Sequence, residues 1–496
     1  MVQILLCCIY VLLFVYIIRK NAFYNLPGIS SNQAVMLFLL KVLVGTFVWK
    51  FFVSYYPVSD ANQYFEESKI LYDLFFQDPV QFFKLFSGQA TANLSAIQEK
   101  MIIWNNNSGS FLINNHRTMI RLNTLFRFFS MGHFYVHAII TCFISYSGLT
   151  CLYKLFYPYM RSRAYLLVIA LFLFPSVLFW SSTVLKEGII FFGLGLLLYH
   201  CQLGLRNRYS LMNVLGVVAG AFIVMVIKIY ILMALFPALL ANSWIANSSH
   251  KYIVLKYTGT YLFFAAVLFI VPYKSPALDF VKVIKTKQTD FINSARGGVL
   301  LSHDSVRVFM EFDQYTEHLE PVGTNMYRLK KGFTYLSYKQ GNTDTLMIDG
   351  AADSSIFKLK SAVAPATSKF TIPRMQPTVL GILKNAPVAF FNTLVIPSLV
   401  HLDKTFAGFI MIENALLLLF IICIVLFFSR KTIPLAVTLF CFSFVILLFS
   451  LIGFTTPITG ALVRYRIPGI PFLIIGFCLI LDEKKVNRFI SYLKTS

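Results

Sequence analysis

The sequence predicts an all-α polytopic membrane protein with about eleven transmembrane helices, several interfacial helices and a small β-rich extracytoplasmic insert. Composition is the first reason. Of 496 residues 57% are hydrophobic and 13% charged, whereas a soluble globular chain carries about 25% charged residues. The mean hydropathy of +0.71 agrees. The second reason is a series of apolar runs close to the ~20 residues that cross a bilayer. The third is that basic residues recur at alternate connections between those runs.

The runs fall at roughly 2–18, 34–54, 131–152, 164–181, 189–205, 211–227, 229–246, 258–273, 409–429, 433–453 and 468–481. The first has no charge before it and Arg19-Lys20 after it, so it reads as a retained anchor rather than a cleaved signal peptide. Pro175 and Pro237 lie inside spans, where packed neighbours can satisfy the freed carbonyls. Arg19-Lys20, Lys154 with Arg161 and Arg163, Arg206 with Arg208, Lys251 with Lys256, Arg430-Lys431 and Lys484-Lys485-Arg488 mark the cytoplasmic connections. This orientation puts the N-terminus outside the plasma membrane and the C-terminus inside. Both long polar segments, roughly 55–130 and 274–408, then lie outside, together with the links at 181–188, Lys228 and 454–467.

Three regions follow. Residues 1–273 form a transmembrane bundle with the first outer loop, 274–376 the β-rich insert, and 377–496 an interfacial helix and the last spans. In the first outer loop Tyr64, Phe65, Leu71, Tyr72, Phe75 and Phe76, then Phe82, Phe83 and Phe86, make an apolar face suited to the headgroup plane. Residues 119–129 alternate basic and apolar side chains at helical spacing, including Arg121. In the insert, 299–310, 326–337 and 345–359 alternate in hydropathy between Gly-Asn, Asp-Gly and Asp-Ser turns. Residues 373–392 read as a surface helix.

A net charge of +22 would suggest nucleic acid in a soluble chain, but here basic residues belong to the loops, and no nucleic-acid partner is expected. All eight cysteines lie in apolar stretches, so neither disulfides nor a Cys-based metal site is expected. There is no phosphate-binding Gly-Lys-Ser/Thr loop, no metal-spaced His/Cys cluster and no Gly-x-Ser-x-Gly elbow. The remaining chemistry is one outward acid among outward basic groups. Asp60, just past the second run, can serve as a general base on an acceptor hydroxyl, although with Gln63 it also fits a helix capping box. Glu66 is nearly two turns further and could share its site, with Glu67 facing solvent. Lys186 is placed to hold a phosphate oxygen, with Glu187 fixing its rotamer. Lys228, followed by Tyr230, sits alone between two apolar runs, where a charge is usually functional or paired. Arg464 and Arg466, one residue apart before the last run, suit bidentate recognition of a phosphate or diphosphate.

The order of these elements is an outer Asp-x-x-x-Tyr-Phe, then Pro-Ser-x-x-x-Trp-Ser-Ser-x-x-x-Lys-Glu, then Lys-x-Tyr, then Arg-Tyr-Arg-x-Pro-x-x-Pro-Phe. It resembles bacterial multi-span glycosyltransferases of the C-type (GT-C) superfamily, the polyprenyl-phosphate-sugar users that include protein O-mannosyltransferase-like enzymes. The likeness extends over roughly 55–273 and 377–481 and leaves out the insert. It implies transfer of a sugar from a polyprenyl-phosphate carrier to an extracytoplasmic acceptor, a glycan, lipid or protein. Asp60 would then match the family's acid in the first large outer loop, and Lys186, Lys228, Arg464 and Arg466 its lipid-phosphate contacts. The lipid-linked sugar is a substrate, and no separate cofactor or metal is implied. The chain departs from the family pattern in its extra N-terminal helix and its single acid. A polysaccharide polymerase or ligase is a neighbouring reading, since it also uses outer Arg residues on lipid diphosphate. A transporter or flippase would instead call for midplane ionisable residues on broken helices and an internal repeat. A non-catalytic subunit of an export machine would use the insert to bind a partner.

Overall fold

The computed structural model describes residues 1–496 apart from 57–58, 90–96, 98–99, 102, 105–113, 208–209, 250, 276–278, 304–305, 312–316, 331–336, 340–355, 377, 397–406, 430–432, 483, 487, 489–490 and 492–496. The connection residues Arg208, Arg430 and Lys431 and the turns expected between 341 and 354 lie outside the described residues. The helices are α1 (Val2–Lys20), α2 (Ser31–Tyr55), α3 (Asp60–Gln77), α4 (Pro79–Ser87), α5 (Asn115–Ser130), α6 (Phe134–Phe156), α7 (Ala164–Val168), α8 (Pro175–Trp180), α9 (Lys186–Asn207), α10 (Leu211–Ala246) and α11 (Ile253–Lys274). They continue as α12 (Phe280–Arg296), α13 (Val379–Val395), α14 (Ala407–Leu426), α15 (Leu435–Thr455), α16 (Thr459–Arg466) and α17 (Ile470–Ile480). Among the described residues eight helices are long and apolar enough to cross a membrane, and the protein is a helical polytopic membrane protein. The chain divides into two compact units, 1–260 with 415–448 and 467–496, and 261–414 with 449–466.

In the first unit the helix boundaries follow local chemistry. Ser30 and Gln33 close a reciprocal capping box at the start of α2. Asp78 caps α4, Pro79 occupies its first turn, and Gly88 ends it at φ +91°. The run at 164–181 is not a continuous helix. α7 passes through a wide turn at Ile169–Leu173, Phe174 becomes extended, and α8 restarts on Pro175. A residue preceding proline is driven out of the helical region, which is why the break falls there.

α10 contains 36 residues and is non-helical at Lys228 (φ −150°, ψ 82°). Asn213, near its start, bonds His200 in the last two turns of α9. Lys228, at its middle, bonds Glu187 in the first turn of α9. Asn242, Ile245 and Ala246, at its end, line a cavity with Cys201 and Leu205 of α9. The chain therefore reverses at Lys228, and the two halves are antiparallel. This is the pair of runs expected at 211–227 and 229–246. Gly148 of α6 and Gly195 of α9 let those helices touch backbone to backbone: a Cβ at Gly148 would lie 2.3 Å from the Phe191 carbonyl oxygen.

The basic connections of this unit gather at one end. The Lys154 ammonium sits 4.9 Å from the Phe23 ring, the Tyr153 hydroxyl bonds the Pro27 carbonyl, Arg163 bonds the Cys478 carbonyl at 2.6 Å, and Lys485 bonds that of Phe428. The carboxylates of residues 1–260 are Asp60, Glu66, Glu67, Asp73, Asp78, Glu99 and Glu187, and those that are described lie on α3, at its C-terminal boundary or at the start of α9. The aromatic face of α3 does not lie free in a headgroup plane. Tyr64, Phe65, Leu71 and Leu74 are buried in the protein, and α3 packs on α5. Phe76, Phe83 and Phe129 remain exposed beyond it.

The second unit carries a six-stranded antiparallel sheet built from β1 (Gly298–His303), β2 (Val306–Glu311), β3 (Leu319–Gly323), β4 (Met326–Leu329), β5 (Ser337–Lys339) and β6 (Ile356–Val363), in the order β3-β4-β6-β1-β2-β5. Its core is Val299, Leu301, Val308, Met310, Leu319, Leu329 and Phe357, with alternate residues of β1 and of β2 facing inward. The amphipathic helix α12, absent from the sequence reading, precedes it. The Gln288 side chain on α12 donates to the carbonyls of Pro373 and Phe454 and accepts from the Met375 N–H. α13 overlaps the segment expected as a surface helix at 373–392 and starts later, at its Thr378 cap.

Candidate functional site

The acidic end of the first unit collects most of the site residues named from the sequence. Asp60 is the first residue of α3 and half-buried, with Ser59 as N-cap. The capping box with Gln63 is therefore not formed, because Asp60 lies inside the helix rather than ahead of it. Tyr64 follows one turn later on the same face. Its hydroxyl is 3.0 Å from His116 Nδ1 at the start of α5, and its ring lies 5.6 Å from the Lys186 ammonium. Lys186 is 5% exposed.

Three expectations need correction. Glu66 is exposed, whereas Glu67 is buried. Seven residues complete two helical turns and six do not, so Glu67 shares the Asp60–Tyr64 face. Its carboxylate accepts the backbone N–H groups of Ile103 at 2.6 Å and Trp104 at 2.9 Å. Burial pushes the Glu67 carboxyl above the usual carboxylate range, and the two N–H groups oppose that shift. Second, Glu187 pairs with Lys228 at 3.1 Å, with side chains 0% and 6% exposed, instead of serving only its neighbour Lys186. Both Lys186 and Glu187 belong to the first turn of α9 rather than to the link expected at 181–188. Third, Arg464 and Arg466 lie on α16 and not in a loop. Residues two apart on a helix point in different directions, so the pair does not converge.

Arg121 lies beside Trp104, its guanidinium 5.1 Å from the ring, and Arg117 is 5.5 Å from the same ring. The Arg117 Nε donates to the Trp104 carbonyl at 2.7 Å. Burial and then the neighbouring Arg117 hold the Arg121 guanidinium down to about 10. Tyr230 is half-buried two residues past the Lys228 turn. The first unit thus brings Asp60, Tyr64, Lys186, Glu187 and Lys228 to one end, with Arg117 and Arg121 on the adjoining α5.

In the second unit Arg466 is wholly buried and held by protein atoms. Nη2 donates to Glu413 Oε1 at 2.7 Å and Asn414 Oδ1 at 3.0 Å. Nη1 donates to the carbonyls of Thr393, Leu394 and Ile396, the C-terminal acceptors of α13. Arg466 is a helix-end clamp, and Glu413, a buried acid within the apolar α14, is its ion-pair partner. Arg464 is half-buried.

Lys41 was not singled out from the sequence. It lies near the middle of the 25-residue α2, is 1% exposed, and donates to Ser181 Oγ at 2.5 Å and Ser182 Oγ at 3.2 Å. Those hydroxyls donate in turn to the Val177 and Leu178 carbonyls at the end of α8. Cys142 Sγ bonds the Ser182 carbonyl, and a Cβ on Gly45 would lie 2.0 Å from that oxygen. The signal was a lone lysine inside an otherwise apolar span.

Compared with known proteins, the chain matches no family model, no curated protein and no solved structure.

Proposed function

We propose that the protein is an integral-membrane glycosyltransferase that moves a sugar from a polyprenyl-phosphate carrier to an acceptor outside the cytoplasm. The observation that supports this most is the placing of Lys186 against Tyr64, one helical turn from Asp60, beside the Glu187–Lys228 pair at the end of the first unit opposite its basic connections. Basic connections favour the cytoplasm, so the acidic end is read as facing outward in the plasma membrane. If the reversal at Lys228 adds one crossing to the eight span-length helices, and the broken segment 164–180 and the apolar helix Ile412–Leu426 are taken as crossings with Leu380–Val395 read as interfacial, this reading has about eleven. That odd number is consistent with an outer N-terminus and an inner C-terminus.

In this reading Asp60 takes or orients the proton of an acceptor hydroxyl as it attacks the anomeric carbon. The C–O bond to the lipid phosphate breaks, and Lys186 and Arg121 stabilise the phosphate that leaves with the pair of electrons. Tyr64 and His116 position Lys186. Arg464 could contact lipid phosphate only from the second unit, and Arg466 is assigned to structure. The test is a comparison of lipid-linked and surface glycans in cells with and without the protein. The proposal expects one polyprenyl-linked sugar to accumulate without it, and unchanged profiles would end the proposal.

A second reading, transport or flipping of a lipid-linked substrate, is favoured by one observation. Lys41 is an ionisable residue near the middle of a span, beside the broken segment 164–180. It requires the lipid-linked sugar to change leaflet without changing covalently, and the same glycan profiles distinguish that outcome.

A further inference from the structure

At the basic end of the first unit lies a cavity of about 500 Å³. Its wall is apolar, with Phe156, Leu198, Leu239 and Phe440, while Gln202, Asn242 and Arg206 supply its polar groups. A second hollow of about 500 Å³ adjoins it through the shared residues Ile253 and Leu435. That hollow runs along the start of α11, where Tyr252, Val254 and Leu255 are 75%, 57% and 69% exposed. The Tyr257 hydroxyl ties this part of α11 to the Ala436 carbonyl at the start of α15. None of the lining residues is acidic.

From this geometry we infer that the cavity holds one acyl chain of an anionic glycerophospholipid, with its phosphate at Arg206. The argument for that occupant is the division of chemistry along the groove. Exposed apolar side chains on α11 lead to an apolar wall that can take a hydrocarbon chain. Among the described residues lining the cavity, Arg206 is the one cation, and it is exposed, so it can meet a headgroup. Lys154, Arg161, Arg163 and Lys256 surround the same end of the unit, so the local field favours a negative lipid over a zwitterionic one. The site lies at the opposite end of the unit from Asp60 and does not depend on the glycosyltransferase reading.

The test uses the full-length protein, delipidated in detergent and then exposed to vesicles of phosphatidylglycerol or phosphatidylcholine with identical chains, with retained lipid counted by native mass spectrometry. Phosphatidylglycerol should be retained about five- to tenfold better than phosphatidylcholine. Arg206→Gln should lower that ratio to about two at unchanged thermal stability, the remainder coming from the surrounding cations, and Arg206→Lys should keep most of it. Glycerol phosphate, which has the headgroup charge and no chain, should not compete. Equal retention of the two lipids by the parent would overturn the inference, as would a full preference surviving in Arg206→Gln or effective competition by glycerol phosphate.

Discussion

Glu67 illustrates how one residue's register decides its role. Both of its carboxylate oxygens accept backbone N–H groups from the 103–104 turn, which carries Trp104 and, through its carbonyl, Arg117. Glu67→Gln keeps one acceptor and turns an NH₂ toward the other N–H. It should cost about 1–3 kcal/mol, the cost of leaving a buried donor unmet, read as a lower thermal midpoint in detergent; a midpoint equal to the parent's would contradict this role. Lys41 is expected to behave the other way. No carboxylate meets it among the described residues, and a charge at the centre of a span costs about 2.5–3.5 kcal/mol. Lys41→Met should therefore be at least as stable as the parent, yet impaired in sugar transfer, because the 181–185 turn leading to Lys186 loses its tether. A large stability loss with intact transfer would show that Lys41 only braces the fold. These two residues also mark the limits of sequence reading. Glu67 was recoverable from helix geometry alone, whereas the partners of Lys41 lie 140 residues away.

Among the elements, the reversal in α10 carries the buried Glu187–Lys228 pair. Lys228→Ala removes the cation 3.1 Å from the buried Glu187 carboxylate and should destabilise by about 3–5 kcal/mol, whereas Lys228→Met with Glu187→Leu should recover most of that loss. Thermal unfolding of the three proteins checks this, and a double variant no better than the single would mean that the turn itself requires the ions. The apolar runs were legible because a span needs only length and hydropathy. Pro175 announces the break at Phe174, but the wide turn at 169–173 has no local signature, so 164–181 passes for an ordinary crossing. The Arg-x-Arg element misled for a related reason. Its spacing implies convergence only in an extended segment, and residues 459–466 are helical.

For the whole molecule, the orientation rests on the gathering of Lys154, Arg163, Lys485 and their neighbours at one end of the first unit. A cysteine introduced at exposed Glu66 should react with a membrane-impermeant thiol reagent in intact cells, and one at exposed Lys485 should react only after permeabilisation. The reverse pattern would invert the protein and put Asp60 in the cytoplasm. The sheet was legible as β-rich from alternation and turn residues, whereas its order was not, because β6 pairs between β4 and β1 across long sequence separations. The central claim, that Asp60 serves sugar transfer at the outer end, is tested most directly by complementing cells that lack the protein with Asp60→Asn and measuring their lipid-linked glycans. Asn preserves size and first-turn polarity but removes the base, and general-base help is worth about 10²–10⁴-fold. The account predicts a protein made at the parent's level that leaves the polyprenyl-linked sugar accumulated as in cells without it. A parent-like glycan profile from Asp60→Asn would contradict it.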